Sequence, residues 1–163
     1  MHVTILHLST EPKAPPYSDD EVFGDNQDKF PDGVEKRTGT DHQEDVKTFL
    51  DYLGDAITTG KTKGVTWIDI DREKAIDLFQ KPFEDFLAHV SGLHSHDIRD
   101  FATGGHGLGD DIRRLNEAYD FDNFYICCDC LCAQPVSDWL RCIIGSTAVK
   151  TRYYLHETYD GDQ

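Results

Sequence analysis

One stretch decides the fold, Phe124-Tyr125-Ile126-Cys127-Cys128-Asp129-Cys130-Leu131-Cys132, which is the longest run of strand-forming and buriable residues in the chain. Aromatic, β-branched and cysteine side chains suit a pleated surface that is covered on both faces. We therefore predict a central strand at residues 124–132. This strand contributes to the hydrophobic core, but it contains no motif that identifies an activity.

Three further strands are predicted around it. Branched apolar residues indicate strands at 3–8 and 64–71, and alternating apolar and polar residues indicate a last strand at 147–159. Because one side of that last strand is polar, we expect it at an edge of the sheet.

Apolar residues at helical spacing predict helices between these strands. They lie at 41–60, 76–90, 110–119 and 135–145. Asp41 and Glu44 have the spacing of a capping box, and Pro82 either kinks the second helix or starts a new one. Strands separated by helices predict an α/β sandwich, a single domain of residues 1–163 with a small mixed sheet of about four strands covered by helices.

Two segments show no sustained periodicity. A long acidic loop is predicted at about 12–39, and a Gly/His-rich loop at about 92–109. Connections of this length in a compact domain are unusual and tend to be functional. A tolerated insertion is equally compatible with the first loop, because lengthening a surface loop costs little closure entropy.

The charge of the chain restricts its partners. It has 31 acidic and 16 basic residues, a net charge of −15. Direct binding of nucleic acid is not expected, because phosphate contacts require Lys and Arg. Such a surface suits solubility, cations or a basic protein partner. The carboxylates that we predict to bind a partner are Asp19, Asp20, Glu21, Asp25, Asp28, Asp110, Asp111, Asp120 and Asp122.

The five cysteines indicate a reducing compartment. Four of them fall within six residues of the predicted central strand, and neighbouring positions on one strand rarely form disulfides. We expect buried, inert packing for this cluster. With no leader-like N-terminus and no long apolar window, the chain is predicted to be cytoplasmic and not bound to a membrane.

Two clusters could hold a metal ion. His94, His96, Asp97 and His106 combine imidazole and carboxylate groups, the donor set of zinc or another divalent metal. They do not complete the ligand pattern of a known zinc class. Asp69 and Asp71 could hold Mg²⁺ at a strand end, but a helix cap at Asp71 is the favoured interpretation.

Two functions are compatible with these features. The first is an acidic protein-binding inhibitor without a cofactor, of the toxin-immunity, anti-defence or nucleic-acid-mimic type, acting on a basic partner such as a nuclease or another nucleic-acid-binding enzyme. The second is a small metal-dependent hydrolase or nucleotide-processing enzyme that uses the His94, His96, Asp97 and His106 cluster. The net charge follows directly from the composition, so it favours the inhibitor over the metal-dependent enzyme.

Overall fold

The computed structural model describes residues 2–121, 123–147 and 151–163, except for the side chain of His106. These residues form one mixed sheet of seven strands in the order β3-β4-β7-β1-β5-β6, with β2 also paired to β7. The strands are β1 His2–Ser9, β2 Gly33–Arg37, β3 Ile57–Thr62, β4 Val65–Ile70, β5 Phe124–Cys128, β6 Gln134–Pro135 and β7 Arg152–Asp162. Among the strands of these described residues, only β1 and β5 pair in parallel.

Seven α-helices are found within the described residues. They are α1 Asp19–Asn26, α2 Gly39–Leu53, α3 Arg72–Asp77, α4 Gln80–Leu93, α5 Ile98–Thr103, α6 His106–Tyr119 and α7 Val136–Gly145. Together with the sheet they confirm the predicted mixed α/β class.

The sheet is buried on both faces because its central strands alternate between two apolar clusters. Leu6 and Leu8 of β1 pack with α2, α3 and α7 in the larger cluster, where Trp139 is buried. Ile5 points to the opposite face and packs with α1 and the segment that follows it. This arrangement places α1 against the sheet, where its apolar side is buried.

A bulge in β7 determines which face each of its residues meets. Leu8 pairs with Leu155, but Leu6 pairs with Thr158, so β7 has one extra residue in between. Leu155 therefore packs in the larger cluster and Tyr159 in the smaller one. On its other side β7 pairs with β4 up to Leu155 and with β2 from Thr158 onward.

Several sequence predictions were wrong in detail. The sheet has seven strands and not about four: β2 and β6 are short, and β3 overlaps the end of the predicted 41–60 helix. The last strand is central, since β7 has neighbours on both sides; residues 148–150 of that prediction lie outside the described residues. The central strand stops at Cys128, where Asp129 takes a positive φ of 52°.

Both predicted loops contain regular structure. The 12–39 segment includes α1 and β2, and the 92–109 segment includes α5 with the adjoining ends of α4 and α6. The capping box was also misplaced: α2 begins after Thr38 without a side-chain cap, whereas Ser18 and Glu21 form a capping box on α1.

The structure decides one open alternative and confirms one helix prediction. Of the two alternatives for Pro82, a kink or a new helix, the second holds: Pro82 lies in the first turn of α4, a helix separate from α3. The helix at 135–145 corresponds to α7 and has its predicted inner face buried. No helix within the described part of the chain has both the length and the apolar character needed to cross a membrane.

Gly161 tests the packing between β7 and the segment that covers it. A Cβ at Gly161 would lie 2.9 Å from Cδ1 of Phe30 and 3.0 Å from Cδ1 of Ile5, so we expect Gly161→Ala to lower the free energy of unfolding by about 1–3 kcal/mol. Urea denaturation measures this change. Gly24→Ala is the control: it meets nothing within 4 Å and removes a helical glycine, so it should leave stability equal or slightly higher.

Candidate functional site

The acidic surface of α1 consists of Asp19, Asp20, Glu21 and Asp25 on the helix and Asp28 just after it, all of them exposed. Glu21 belongs to the capping box, in which its carboxylate accepts a hydrogen bond from the Ser18 N–H at 2.8 Å. This hydrogen bond lowers the pKa of Glu21. The other four carboxylates form no ion pair with any residue that the structure describes. They therefore lack a cationic side-chain partner among the described residues, although the N-terminus of α1 favours the charges of Asp19 and Asp20 in its first turn.

Buried contacts on its inner side hold α1 in place. Asn26 is buried, and its amide donates to the carbonyl oxygens of Val22 at 2.8 Å and Leu131 at 2.7 Å. The Ala133 N–H donates to the Asn26 side-chain oxygen at 2.7 Å. Beyond the helix, Phe30 is fully buried, edge-on to the Tyr125 ring with centroids 5.1 Å apart. The carboxylates thus sit on a rigidly anchored element.

The acidic residues on and just after α6 are in a different situation, because the three that the structure describes each pair with a basic side chain. Asp110 lies 3.6 Å from Arg113, Asp111 lies 2.8 Å from His96, and Asp120 lies 2.9 Å from Arg141. Asp122 lies outside the described residues. The partner-binding role of these four stays a prediction.

The predicted metal cluster is divided among helix ends. His94 is exposed and is the C-cap residue of α4. Asp97 is the N-cap residue of α5, and its carboxylate accepts hydrogen bonds from the N–H groups of Arg99 at 2.8 Å and Asp100 at 2.9 Å. Among the residues whose side chains are described, no group of three or more His, Cys, Asp or Glu could hold a metal ion. The His106 side chain lies outside that set, so the metal site stays a prediction.

His96 is held between two carboxylates. Its Nε2 lies 2.8 Å from Asp111 and its Nδ1 lies 3.5 Å from Asp100. The hydrogen bond to Asp111, helped by Asp100, raises the pKa of His96 although partial desolvation opposes the rise. Because protonation favours both contacts, this cluster stabilises the contact between α5 and α6 at low pH.

The His96 cluster is tested by titrating the imidazole. The folded-state pKa should lie above 6.5, so the stabilisation is complete below that value and is lost as the pH rises through the folded pKa. Asp111→Asn should lower the pKa, measured by NMR titration of the histidine ring protons. Asp110→Asn is the matched control and should leave it in place, since Asp110 pairs with Arg113.

The parallel strands β1 and β5 end side by side, the location where open α/β sheets commonly bind ligands. Ser9 Oγ donates to Asp129 Oδ1 at 2.7 Å, and Thr10 Oγ1 donates to Oδ2 at 3.3 Å. The Asp129 N–H donates to the Leu8 carbonyl at 3.3 Å. Both carboxylate oxygens of Asp129 thus accept hydrogen bonds from side chains that follow β1 or end it.

The structure also joins His7 to Glu157, a pair that the sequence analysis missed. His7 is 1% exposed, and its Nδ1 lies 2.5 Å from Glu157 Oε2. Tyr17 covers the imidazole, with ring centroids 4.3 Å apart. Burial opposes ionisation of Glu157, but His7 and Lys36 together hold its pKa below the usual value. Since its ring is closed off from solvent, we interpret the pair as structural.

Replacing the carboxylate tests this pair. The pKa of Glu157 is lowered from 4.5 in the folded protein, so its contribution is complete above that pH and is lost as the pH falls through the folded pKa. Glu157→Gln should lower the free energy of unfolding by about 1 kcal/mol at pH 7, the added strength of a charged hydrogen bond. The difference should shrink at pH 3.

Denaturant melts of both proteins between pH 3 and pH 7 measure this dependence. Glu35→Gln, at an exposed glutamate on neighbouring β2, controls for the general loss of one charge. A difference that does not change with pH would contradict the assigned role of the Glu157 carboxylate.

A groove of about 700 Å³ lies between α2 and the β3–β4 hairpin, next to the point where β7 stops pairing with β4. Its lining mixes charges of both signs, with Lys47 and Lys61 near Asp51 and Glu157. The two histidines there, His42 and His156, are hydrogen-bonded to Thr158 and to the Glu11 carbonyl. The groove therefore has no dominant charge that would select a ligand class.

The five cysteines differ in their exposure to solvent. All five cysteines are free thiols; burial raises the pKa of Cys127 and Cys128 to about 12, which disfavours a nucleophilic thiolate. Buried packing is confirmed for Cys127 but was wrong for Cys130 and Cys132, which are exposed.

The favoured interpretation of Asp71 as a helix cap is confirmed, since its carboxylate accepts from the N–H groups of Glu73 at 3.1 Å and Lys74 at 3.2 Å. Asp69 accepts two hydrogen bonds from the Arg152 guanidinium, at 2.9 and 2.7 Å. This pairing uses the carboxylate that the magnesium hypothesis would need.

Comparison with known proteins adds no relative: no family model, no curated protein and no solved structure matches the chain. Function has to be inferred from the arrangement of its own residues.

Proposed function

We propose that this chain is an acidic protein-binding inhibitor whose α1 surface docks on a basic partner, such as the positive groove of a nuclease or another nucleic-acid-binding enzyme. One observation carries the proposal: Asp19, Asp20, Asp25 and Asp28 are exposed on an anchored element and form no ion pair with any described residue. They imitate the charge of a phosphate backbone without its flexibility.

Unpaired carboxylates are available to a partner at no internal cost. Breaking an existing pair, such as Asp120 with Arg141, would offset the gain from a new one. The four carboxylates of α1 have no such pair to lose. The net charge of −15 adds long-range attraction, which raises the association rate with a basic partner at low salt.

Anchoring of α1 adds to the affinity. A helix of eight residues is marginal in isolation, and ordering it on binding would reduce the net affinity. Here Asn26, Val22 and Phe30 hold the helix against the sheet before any partner arrives. The surface is therefore preorganised.

The test neutralises three carboxylates of α1 together, Asp20→Asn, Asp25→Asn and Asp28→Asn. The probes are purified basic nucleases, and the readout is displacement of a fluorescent DNA duplex by the protein. Three exposed pairs at roughly 0.5 kcal/mol each predict about tenfold weaker inhibition by the triple variant. The salt dependence of inhibition should also become shallower.

A charge-matched control separates this surface from total charge. Asp51→Asn, Asp55→Asn and Asp77→Asn remove the same number of charges from exposed positions elsewhere. We expect that variant to inhibit nearly as well as the wild-type protein. Equal weakening by both triple variants, or an unchanged salt slope in the α1 variant, would remove the assignment to α1.

A further inference from the structure

The loop of residues 129–133, which joins β5 to β6, carries two exposed thiols, Cys130 and Cys132. The residues that alternate with them turn inward: Leu131 packs against the smaller apolar cluster, and Ala133 is fully buried. Both thiols therefore face solvent from the outer side of the loop. Free cysteines are usually buried, so two exposed thiols separated by one residue require an explanation.

Hydrogen bonds hold the backbone of this loop in place. The buried Cys127 thiol donates to the Leu131 carbonyl at 3.3 Å. The Asn26 side chain of α1 donates to the same carbonyl at 2.7 Å and accepts from the Ala133 N–H at 2.7 Å. The backbone on either side of Cys132 is thus fixed, so a ligand shared by the two exposed thiols does not have to order the loop.

The side chain of Cys130 is turned toward Cys132. Its Sγ lies 3.8 Å from the carbonyl oxygen of Cys132, so the first side chain extends over the backbone of the second residue. Both side chains are exposed, and rotation about the Cα–Cβ bond of Cys132 moves its sulfur without moving the backbone. A chelate formed by the two sulfur atoms therefore needs only a change of rotamer.

The number of available donors decides which ion suits the pair. Among the residues whose side chains are described, no third His, Cys, Asp or Glu completes a metal-binding group with them. Both carboxylate oxygens of the neighbouring Asp129 accept hydrogen bonds from Ser9 and Thr10. Structural zinc takes four ligands in a tetrahedron. Cu(I) is a soft ion that prefers sulfur ligands, and as a monovalent d¹⁰ ion it is stable with only two thiolates.

We propose that Cys130 and Cys132 bind one Cu(I) ion as a two-coordinate thiolate site. On binding, each thiol gives its proton to water and its sulfur lone pair forms one Cu–S bond, with no transfer of electrons between copper and protein. Two thiolates and one Cu(I) carry a net charge of −1. The ammonium group of Lys29 offsets this charge, because it donates to the carbonyl of Ala133, the residue next to Cys132.

This site does not depend on the function proposed for α1. Anaerobic titration of the reduced full chain against the coloured Cu(I)–bicinchoninate complex tests it. The wild-type protein should withdraw one copper ion per chain at every protein concentration, measured as loss of the absorbance of the chelator complex. X-ray absorption at the copper edge should show two sulfur ligands, and an excess of Zn²⁺ should not release the copper.

The two ligand variants are Cys130→Ser and Cys132→Ser. Each should weaken copper binding at least tenfold, because even the loss of a residue that only supports a metal ligand costs about tenfold or more in affinity. Both positions are exposed, so the substitutions leave the core intact, and circular dichroism melts confirm that the variants fold.

Cys142→Ser is the matched control. Cys142 is also an exposed free thiol, but it lies on α7, so this variant should bind copper like the wild-type protein. A wild-type protein that takes no copper from the chelator would overturn the inference, as would equal weakening by Cys142→Ser or release of the copper by Zn²⁺. One ion per two chains, or a third sulfur ligand at the copper, would contradict a two-coordinate site within one chain.

Discussion

The pairing of β7 with β1 is the interaction on which the rest of the structure depends. The last strand of the chain inserts beside the first and also holds β4 and β2. Its bulge between Leu155 and Thr158 exchanges the two faces of the strand, so that Leu155 serves one apolar cluster and Tyr159 the other. The same bulge brings Glu157 to the buried His7. Without this pairing, β4 and β2 would have no neighbour in common.

The carboxylates of the molecule have two kinds of surroundings. Around α6, carboxylates are paired with Arg113, His96 and Arg141 and so stabilise the fold. On α1 they have no such partners among the described residues, and buried contacts through Asn26 hold them together despite their mutual repulsion. Asp19 and Asp20 lie in the first turn of α1, where the helix N-terminus favours negative charge, whereas Asp25 lies in the last turn, where it does not. We propose a binding role for these carboxylates because they are exposed on an anchored element and have no ion-pair partner among the described residues.

The sequence by itself determined the elements whose signal is local. Branched runs predicted β1, β4 and β5, helical spacing predicted α7, and composition predicted exposed acidic residues at 19–28. Pro82 indicated either a kink or a new helix and did not decide between them. It missed α1, although Ser18 and Glu21 have capping-box spacing, and it missed β2 and β3, whose short or polar strands carry little pattern. Only the tertiary structure decided that β7 is central, that Asp129 ends β5, and that His7 meets Glu157. Those features join residues more than 100 positions apart, and no local pattern encodes such contacts. For the same reason, only the structure could separate the unpaired carboxylates of α1 from the paired ones of α6.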